Sequence, residues 1–299
     1  MKINIIIPYR PLSKGFMQTG GGPLYQLHDG RWKDESTGQI QYGGDFRQIN
    51  EKDELIRTIK FLNKNSHFKH NIIVTIDNDV YPNDEYLKDF DNVKILKCKH
   101  HYQHTNDQPP RTIAYFRLNM ALIEGTNSVP DEEWLCYCYI ADLICAKDWD
   151  RYIIEEIQCF GENYVYTPMF VEIKKSLSGT VLTGMEITPD RVWNEWRKLC
   201  CHALTMPMPT KGYFTEDDID DYIKIANEAK KSPIIEKPGD RIYGYFCAIV
   251  TKAKFAKKAV IFMGPGNDLY FDNRLYSECN LMKIVVTKSF VFHPFCEFR

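Results

Sequence analysis

The sequence predicts an α/β protein with a mostly parallel central sheet that is covered by helices on both faces. Two observations lead to this prediction. Short runs such as residues 3–8 (INIIIP) are apolar at nearly every position, as strands buried on both sides are. Amphipathic helical segments separate these runs, and residues 51–64 place Leu55, Ile59 and Leu62 on one helical face. Alternation of this kind is typical of a parallel sheet.

The remaining elements continue the alternation along the chain. Further strands are predicted at residues 71–76, 93–97, 135–142, 163–173 and 283–293, and further helices at 112–124, 150–159, 188–204 and 215–231. Residues 241–258 have the pattern of a strand that runs into a helix. No internal repeat or low-complexity linker interrupts the series, which indicates a single compact domain.

The connection between the first strand and its helix, residues 10–50, is long for a compact domain and is predicted to be an insertion or lid. Within it, Asp29-Gly30 stands between alternating residues, which is a signal for a β-hairpin. The glycine run at residues 19–23 fits either a bend or a phosphate cradle. We favour the bend because no lysine motif follows the glycines.

Composition argues against several functional classes. Charged residues make up 26% of the chain and the formal net charge is -2, so no general attraction to nucleic acid or to an anionic membrane is expected. No segment reaches the length of a membrane span, and the apolar amino-terminal run lacks a signal-peptide cleavage pattern. None of the 10 cysteines forms a CxxC pair, which favours free thiols over a zinc knuckle. These features predict a cytoplasmic protein without nucleic-acid partners or an integral membrane segment.

Polar and charged residues follow the predicted strands at the points where the strands end. They are Tyr9 and Arg10 after the first strand, Asp77 to Asp79 after the second, Asp142 after the fourth and His293 at the last. In open α/β sheets, ligands bind outside the carboxyl ends of the strands. Carboxylates there suit a nucleoside diphosphate held with Mg²⁺ or Mn²⁺, and an imidazole ligand favours Mn²⁺.

Each of these residues also has a simpler interpretation. Asp77 and Asp79 fit a turn closed by local backbone hydrogen bonds. Asp142 fits a cap for the helix that follows it, and a single histidine near the end of the chain is more often structural. Their convergence at one edge of the sheet, more than any one residue, favours a binding site.

Several segments, taken in order, resemble nucleotide-sugar glycosyltransferases of the GT-A fold, particularly the large inverting family 2. The segments are INIIIPYR, LIRTIKFLNKN, NIIVTIDND, RTIAYFRLNMALIEG, YIADLICAKDWD, GYFCAIVTKAKF, GPGNDLYFDNRL and KIVVTKSFVFH. The resemblance implies a Rossmann-like GT-A sheet with an acceptor-side subregion. It also implies that residues 1–150 form the nucleotide-sugar-binding half and residues 151–299 the acceptor-binding and catalytic half of one domain.

The resemblance also implies roles for individual residues. Positions matching the base and ribose site are Pro8, Tyr9 and Asp77, with Arg10 and Asp79 beside them. Positions matching the region around the sugar and the diphosphate are Arg111, Arg117, Asn119 and Ala141. Asp142 matches the last aspartate of a metal-binding Asp-x-Asp motif, and His293 matches a histidine that completes the metal site. The implied donor is a UDP- or GDP-sugar, and the implied acceptor is a carbohydrate or another hydroxyl compound.

Two departures from the family pattern bear on the metal. Ile140 stands where the first aspartate of the motif belongs, so a single carboxylate remains, and Arg10 stands where asparagine is common. Asp142 and His293, with diphosphate oxygens, form one candidate set of ligands for Mn²⁺ or Mg²⁺. A metal-independent protein is the alternative.

Inverting transfer requires a general base for the acceptor hydroxyl. The resemblance places that base in an acidic segment before an Arg-Leu helix, which makes Asp268 the first candidate and Asp272 the second. A helix N-cap is the alternative role for Asp268. Two other functions remain open: a non-catalytic nucleotide-sugar-binding protein and a sugar-phosphate nucleotidyltransferase. The second is disfavoured because PYRPLSKGF is not the Gly-rich loop with Arg and Lys that such enzymes carry after the first strand.

Overall fold

A computed structural model of the chain describes fifteen parts of the sequence. They are residues 1–9, 16–19, 22–26, 32–34, 40–41, 51–76, 87–98, 120–138, 144–145, 147–174, 204–207, 217, 234–236, 249–260 and 284–294. All structural statements below concern these residues.

The described elements alternate between strands and helices over most of the chain. The strands are β1 (Ile3–Tyr9), β2 (Phe16–Thr19), β3 (Gly22–Gln26), β4 (Trp32–Asp34), β5 (Ile40–Gln41), β6 (Asn71–Ile76), β7 (Val93–Lys97), β8 (Trp134–Tyr137), β9 (Ile144–Cys145), β10 (Val165–Lys174), β11 (Leu204–Pro207), β12 (Ile234–Glu236), β13 (Val250–Lys252) and β14 (Ile284–Pro294). The helices are α1 (Glu51–Asn65), α2 (residues 120–127), α3 (Trp149–Phe160) and α4 (Ala253–Val260).

The main sheet has 10 strands, eight of which follow the order β12-β14-β10-β13-β8-β1-β6-β7. β1 pairs in parallel with β6 and β8, β6 with β7, and β10 with β14 and β11. β13 is antiparallel to both of its neighbours, β8 and β10, while β12 and β9 are antiparallel to β14. The sheet is therefore mixed, with five parallel and four antiparallel pairings, and together with its helices it is compatible with the predicted α/β class.

Helices pack on both faces of this sheet, as the apolar strands predict. One core lies under α1 and α3, where Leu55, Ile59 and Leu62 belong to the same buried cluster as Ile3 and Ile5. The core on the other face contains residues of α2 and α4 together with the alternate strand positions. Its members include Ile6, Leu122, Leu135, Tyr137, Ala256 and Val260. Successive residues of β1 thus enter opposite cores, which is why isoleucine occupies the three consecutive positions 5 to 7 of the strand.

α2 approaches the sheet closely at a glycine. A Cβ atom built on Gly125 lies 2.7 Å from Cγ2 of Ile6 and 2.8 Å from Cγ2 of Thr75, below the distance at which real side chains meet. Ile6 and Thr75 are β-branched and therefore have little χ1 freedom to move aside. The absence of a side chain at position 125 allows α2 to rest directly on β1 and β6.

The 10–50 connection contains a second, four-stranded sheet in the order β2-β3-β4-β5. All its pairings are antiparallel. β3 and β4 pair through Gln26 and Trp32, so the predicted hairpin around Asp29-Gly30 is present as a strand pair. β2 and β3 pair as far as Thr19 and Gly22, and the two glycines between these residues lie outside the described ranges.

Two local predictions need correction. α3 begins at Trp149 with Asp148 as its N-cap residue, so Asp142 does not cap this helix. The helix predicted at residues 188–204 does not extend to Leu204, which begins strand β11. Leu204 pairs with Val171, so the apolar end of that pattern belongs to a sheet contact rather than to a helix turn.

Candidate functional site

The strand order reverses beside β1. From β1 the chain adds β6 and β7 on one side of the sheet and then returns to add β8 on the other side. In open α/β sheets, a reversal of this kind opens a crevice at the carboxyl ends of the strands, where ligands bind. β1, β6 and β8 run parallel, so the carboxyl ends of all three strands lie at one edge.

Pro8 and Tyr9, which are predicted to contact the base and ribose, are the last two residues of β1. Pro8 pairs with Thr75 and is buried, and Tyr9 pairs with Ile76, the last residue of β6. A proline is unfavourable within a central strand because it lacks an N–H group. Here the described ladder with β8 extends only to Ile6, whose carbonyl accepts a hydrogen bond from the N–H of Cys138 at 2.9 Å.

Most of the other predicted site residues lie outside the described ranges. They are Arg10, Asp77, Asp79, Arg111, Arg117, Asn119, Ala141, Asp142, Asp268 and Asp272. Several of these residues are neighbours in sequence of described elements. Asp77 directly follows Ile76 at the end of β6, and Asn119 directly precedes Met120, the first described residue of α2.

His293 lies on β14, which pairs with a short strand that follows Asp142 in the sequence. Phe292 pairs with Ile144, and Val291 pairs with Cys145. On its other side, β14 sets His293 opposite Glu172 of β10. β9, which begins two residues after Asp142, therefore runs beside the residues immediately before His293, although the two candidate ligands are separated by about half of the chain.

A buried carboxylate lies at the start of α3, a few residues beyond β9. Asp150 is fully buried and accepts hydrogen bonds from the backbone N–H groups of His67 at 2.7 Å and Phe68 at 2.8 Å. Its Oδ2 atom also lies 2.7 Å from Nε2 of His70. Nδ1 of His70 accepts the N–H of Ile3 at 3.2 Å, so the ring proton is on Nε2 and is donated to Asp150.

The electrostatics of Asp150 follow from these contacts. Burial raises the pKa of the carboxyl group, but the hydrogen bonds from His70 and from the backbone N–H groups of His67 and Phe68 outweigh burial and hold the pKa below its usual range. Asp150 is therefore an ionised, fully hydrogen-bonded carboxylate inside the protein. The sequence gives little sign of this, because an aspartate in a first helical turn is ordinarily a solvated partner of the helix dipole.

The segment between β9 and α3 is fastened to the end of α1 by further hydrogen bonds. The amide of Asn65 donates to the carbonyl of Cys145 at 2.6 Å, and the carbonyl of Asn65 accepts the N–H of Asp148 at 2.7 Å. The indole N–H of Trp149 donates to Oγ of Ser66 at 2.9 Å. The chain between β9 and the start of α3 is thus held at three points, Cys145, Asp148 and Trp149.

Cysteines in the described ranges are free, as expected. Cys98, Cys136, Cys138 and Cys145 are buried, and Cys159 is exposed. Burial raises the pKa of the Cys136 and Cys145 thiols, and neighbouring cysteines add to the increase. These buried thiols are therefore poor nucleophiles and poor metal ligands.

Within the described ranges, no group of three or more His, Cys, Asp and Glu side chains is arranged to hold a metal ion. None of the helices that the structure describes has both the length and the apolar character needed to cross a bilayer. The chain matches no protein-family model, and it matches no curated protein.

Proposed function

We propose that the protein is a GT-A type glycosyltransferase that moves a sugar from a nucleoside-diphosphate sugar to an acceptor hydroxyl group, with inversion at the anomeric carbon. The observation that carries the proposal is the reversal of strand order between β1 and β8. In open α/β sheets a reversal of this kind opens a ligand-binding crevice at the carboxyl ends of the strands, and here Pro8 and Tyr9 end β1 and Asp77 follows β6 in the sequence. The resemblance assigns these three residues to the base and ribose.

The pairing of β9 with β14 supports the cation-binding part of the proposed site. It brings the chain on the carboxyl side of Asp142 alongside the residues that precede His293. One carboxylate and one imidazole, with diphosphate oxygens and water in the remaining positions, suit Mn²⁺ and, less well, Mg²⁺. The bound cation supplies positive charge beside the leaving diphosphate.

The protein's own residues have separate tasks in this proposal. The guanidinium groups of Arg111 and Arg117 bind phosphate oxygens, and Asn119 hydrogen-bonds the sugar. Asp268 accepts the proton of the acceptor hydroxyl group while the hydroxyl oxygen bonds to the anomeric carbon. The bond from that carbon to the diphosphate oxygen breaks at the same time. Asp272 is the second candidate for this base.

Turnover of a panel of UDP- and GDP-sugars tests the proposal. The release of nucleoside diphosphate is measured with Mn²⁺, with Mg²⁺ and with EDTA, in the presence and absence of simple sugar acceptors. We expect cation-stimulated release that increases with an acceptor. The variant Asp142→Asn should lose the stimulation, while Asp89→Asn, which replaces an exposed aspartate elsewhere, should retain it.

Three other results would point elsewhere. Binding of nucleotide sugars without any turnover identifies a non-catalytic binding protein. Equal turnover with Mn²⁺ and with EDTA identifies a metal-independent enzyme and removes the proposed role of Asp142. Release of pyrophosphate from a nucleoside triphosphate and a sugar phosphate identifies a nucleotidyltransferase.

A further inference from the structure

The two sides of β1 differ in how far their hydrogen-bonded pairing extends toward the carboxyl edge of the sheet. Toward β6, the pairing continues to Tyr9 and Ile76, the last residues of the two strands. Toward β8, the described pairing ends with Ile6 and Tyr137, three residues before the end of β1. Among the described residues, the ladder is therefore shorter on the side where the strand order reverses.

Two backbone carbonyl groups show which neighbour each residue of β1 is directed toward. The carbonyl of Ile6 accepts the N–H of Cys138 at 2.9 Å, so Ile6 bonds toward β8. The carbonyl of Ile7 accepts the hydroxyl group of Thr75 at 3.4 Å, so Ile7 bonds toward β6. Successive residues of a central strand direct their N–H and C=O groups alternately to the two neighbouring strands. Position 8 is therefore directed toward β8 again, and in a continued parallel ladder its N–H would donate to the carbonyl of Cys138.

Pro8 occupies this position and has no N–H group to donate. The next hydrogen bond of the β1–β8 ladder therefore cannot form. The pairing of Pro8 with Thr75 is kept, because the bonds toward β6 are made by the residues on either side of Pro8. This arrangement explains how a buried proline is accommodated in a central strand, since its missing donor faces only the side where the ladder ends.

We propose that Pro8 is a positioning residue that prevents the carboxyl end of β1 from pairing further with the chain at Cys138, so that a nucleoside diphosphate can bind between them. This inference rests on the proposed function. At a reversal of strand order, the ligand lies where the two diverging strands would otherwise pair. An N–H group at position 8 would extend the ladder by one hydrogen bond and would compete with the ligand.

The substitution Pro8→Ala restores the missing donor. One added hydrogen bond favours the paired edge modestly, and we expect UDP and GDP to bind about 3- to 10-fold more weakly, as measured by calorimetry with Mn²⁺ present. Pro130→Ala is the matched control, because Pro130 is exposed and lies before the amino-terminal end of β8. This control should bind both nucleotides as the wild-type protein does.

Amide hydrogen exchange, followed by NMR, separates this role from a direct contact between the proline ring and the ligand. We expect the N–H at position 8 of Pro8→Ala to be protected in the ligand-free protein and to lose that protection when nucleotide is bound. A ligand that only contacts the folded protein has the opposite effect, because its binding stabilises the folded state and adds protection. The N–H of Ile7, which is directed toward β6, is the internal reference and should stay protected in both states.

A second variant covers the case in which loss of the ring volume unfolds Pro8→Ala. Pro8→Val restores the same N–H group with a bulkier apolar side chain. We expect the same weaker binding and the same loss of protection on addition of nucleotide. Binding of both nucleotides with wild-type affinity by Pro8→Val would contradict the proposal.

The failures of the two proposals are distinguishable. If the wild-type protein binds neither UDP nor GDP, the proposed function falls and this inference falls with it. If the wild-type protein binds and the N–H at position 8 of Pro8→Ala is unprotected without ligand, only the positioning role falls. Unchanged affinity in Pro8→Ala, protection that persists with nucleotide bound, or an equal loss of affinity in Pro130→Ala also overturns only the positioning role.

Discussion

Nε2 of His70 lies 2.7 Å from Oδ2 of Asp150, and both side chains are almost completely removed from solvent. The two residues are 80 positions apart, so their contact is a product of the tertiary fold. The imidazole joins this carboxylate to the N–H of Ile3 at 3.2 Å. One polar network therefore connects the first strand, the end of the α1–β6 connection and the start of α3.

Replacement of Asp150 by asparagine is expected to destabilise the protein by about 2–4 kcal/mol. The asparagine amide has one acceptor oxygen where the carboxylate has two. Its NH₂ group would face the hydrogen-bond donors of His70 and the backbone, from which the carboxylate accepts and an NH₂ group does not. Urea unfolding at neutral pH measures the change. The control is Asp89→Asn, at an exposed aspartate, for which we expect a change within about 0.5 kcal/mol. Equal stability of both variants would contradict the buried network.

The contribution of Asp150 should also depend on pH. Its pKa is lowered in the folded state, so as the pH falls the unfolded chain takes up this proton first. The stabilisation is therefore complete above the unfolded-state value near pH 4 and is lost as the pH falls through the lower folded-state pKa. Asparagine does not titrate. The difference in unfolding free energy between wild type and Asp150→Asn should narrow below about pH 4 and stay constant between about pH 5 and 7. If the difference in unfolding free energy stays constant down to the pH of acid unfolding, the lowered pKa of Asp150 does not contribute to stability.

Gly125→Ala should destabilise the protein although alanine is the better helix former. Helix propensity alone favours the alanine by about 1 kcal/mol. The new methyl group, however, meets Ile6 and Thr75 at less than 3 Å and forces α2 away from the sheet, for which we expect a net loss of about 1–3 kcal/mol. Urea unfolding measures the change in the free energy of unfolding. Asn127→Ala, at an exposed position of the same helix, is the control and should change stability little. A net gain in Gly125→Ala would show that α2 does not pack this closely.

Much of the framework was predictable from periodicity. The boundaries of β6 and β7 match the predicted strands, and α1 buries Leu55, Ile59 and Leu62 as its pattern indicates. These elements are predictable because each has a repeating apolar pattern that only one kind of packing satisfies. Pro8 and Tyr9 lie at the end of β1 and His293 lies on β14, where the strand-end argument places them.

The features that were not predictable depend on partners distant in sequence. No local pattern distinguishes a buried Asp150 from a solvated aspartate in a helix turn, because its partners come from residues 67–70. The pairing of β9 with β14 is hidden for the same reason, since β9 is only two residues long and its partner strand lies near the end of the chain. The helical pattern of residues 188–204 likewise gave no sign that Leu204 belongs to a strand beside β10.

Thiol reactivity should separate the described cysteines into two groups. Cys159 is exposed, whereas Cys98, Cys136, Cys138 and Cys145 are buried, and burial raises the pKa of the Cys136 and Cys145 thiols. We expect iodoacetamide to modify Cys159 in the native protein and to modify the four buried cysteines only after denaturation. Peptide mass spectrometry after timed labelling measures both groups. Rapid native labelling of Cys136 would contradict the packing of β8 between the two cores.

The proposed catalytic base gives a prediction that distinguishes chemistry from binding. Asp268→Asn removes the proton acceptor without adding charge, so the rate of sugar transfer should fall by about 10²- to 10⁴-fold. The affinity for the donor should remain close to that of the wild type, because the resemblance assigns donor binding to residues of the amino-terminal half and to His293, and gives Asp268 no part in it. Steady-state kinetics and calorimetry measure the two quantities, and Asp89→Asn is again the exposed control. If Asp268→Asn keeps full activity and Asp272→Asn loses it, the base is Asp272. If both variants keep full activity, neither aspartate deprotonates the acceptor.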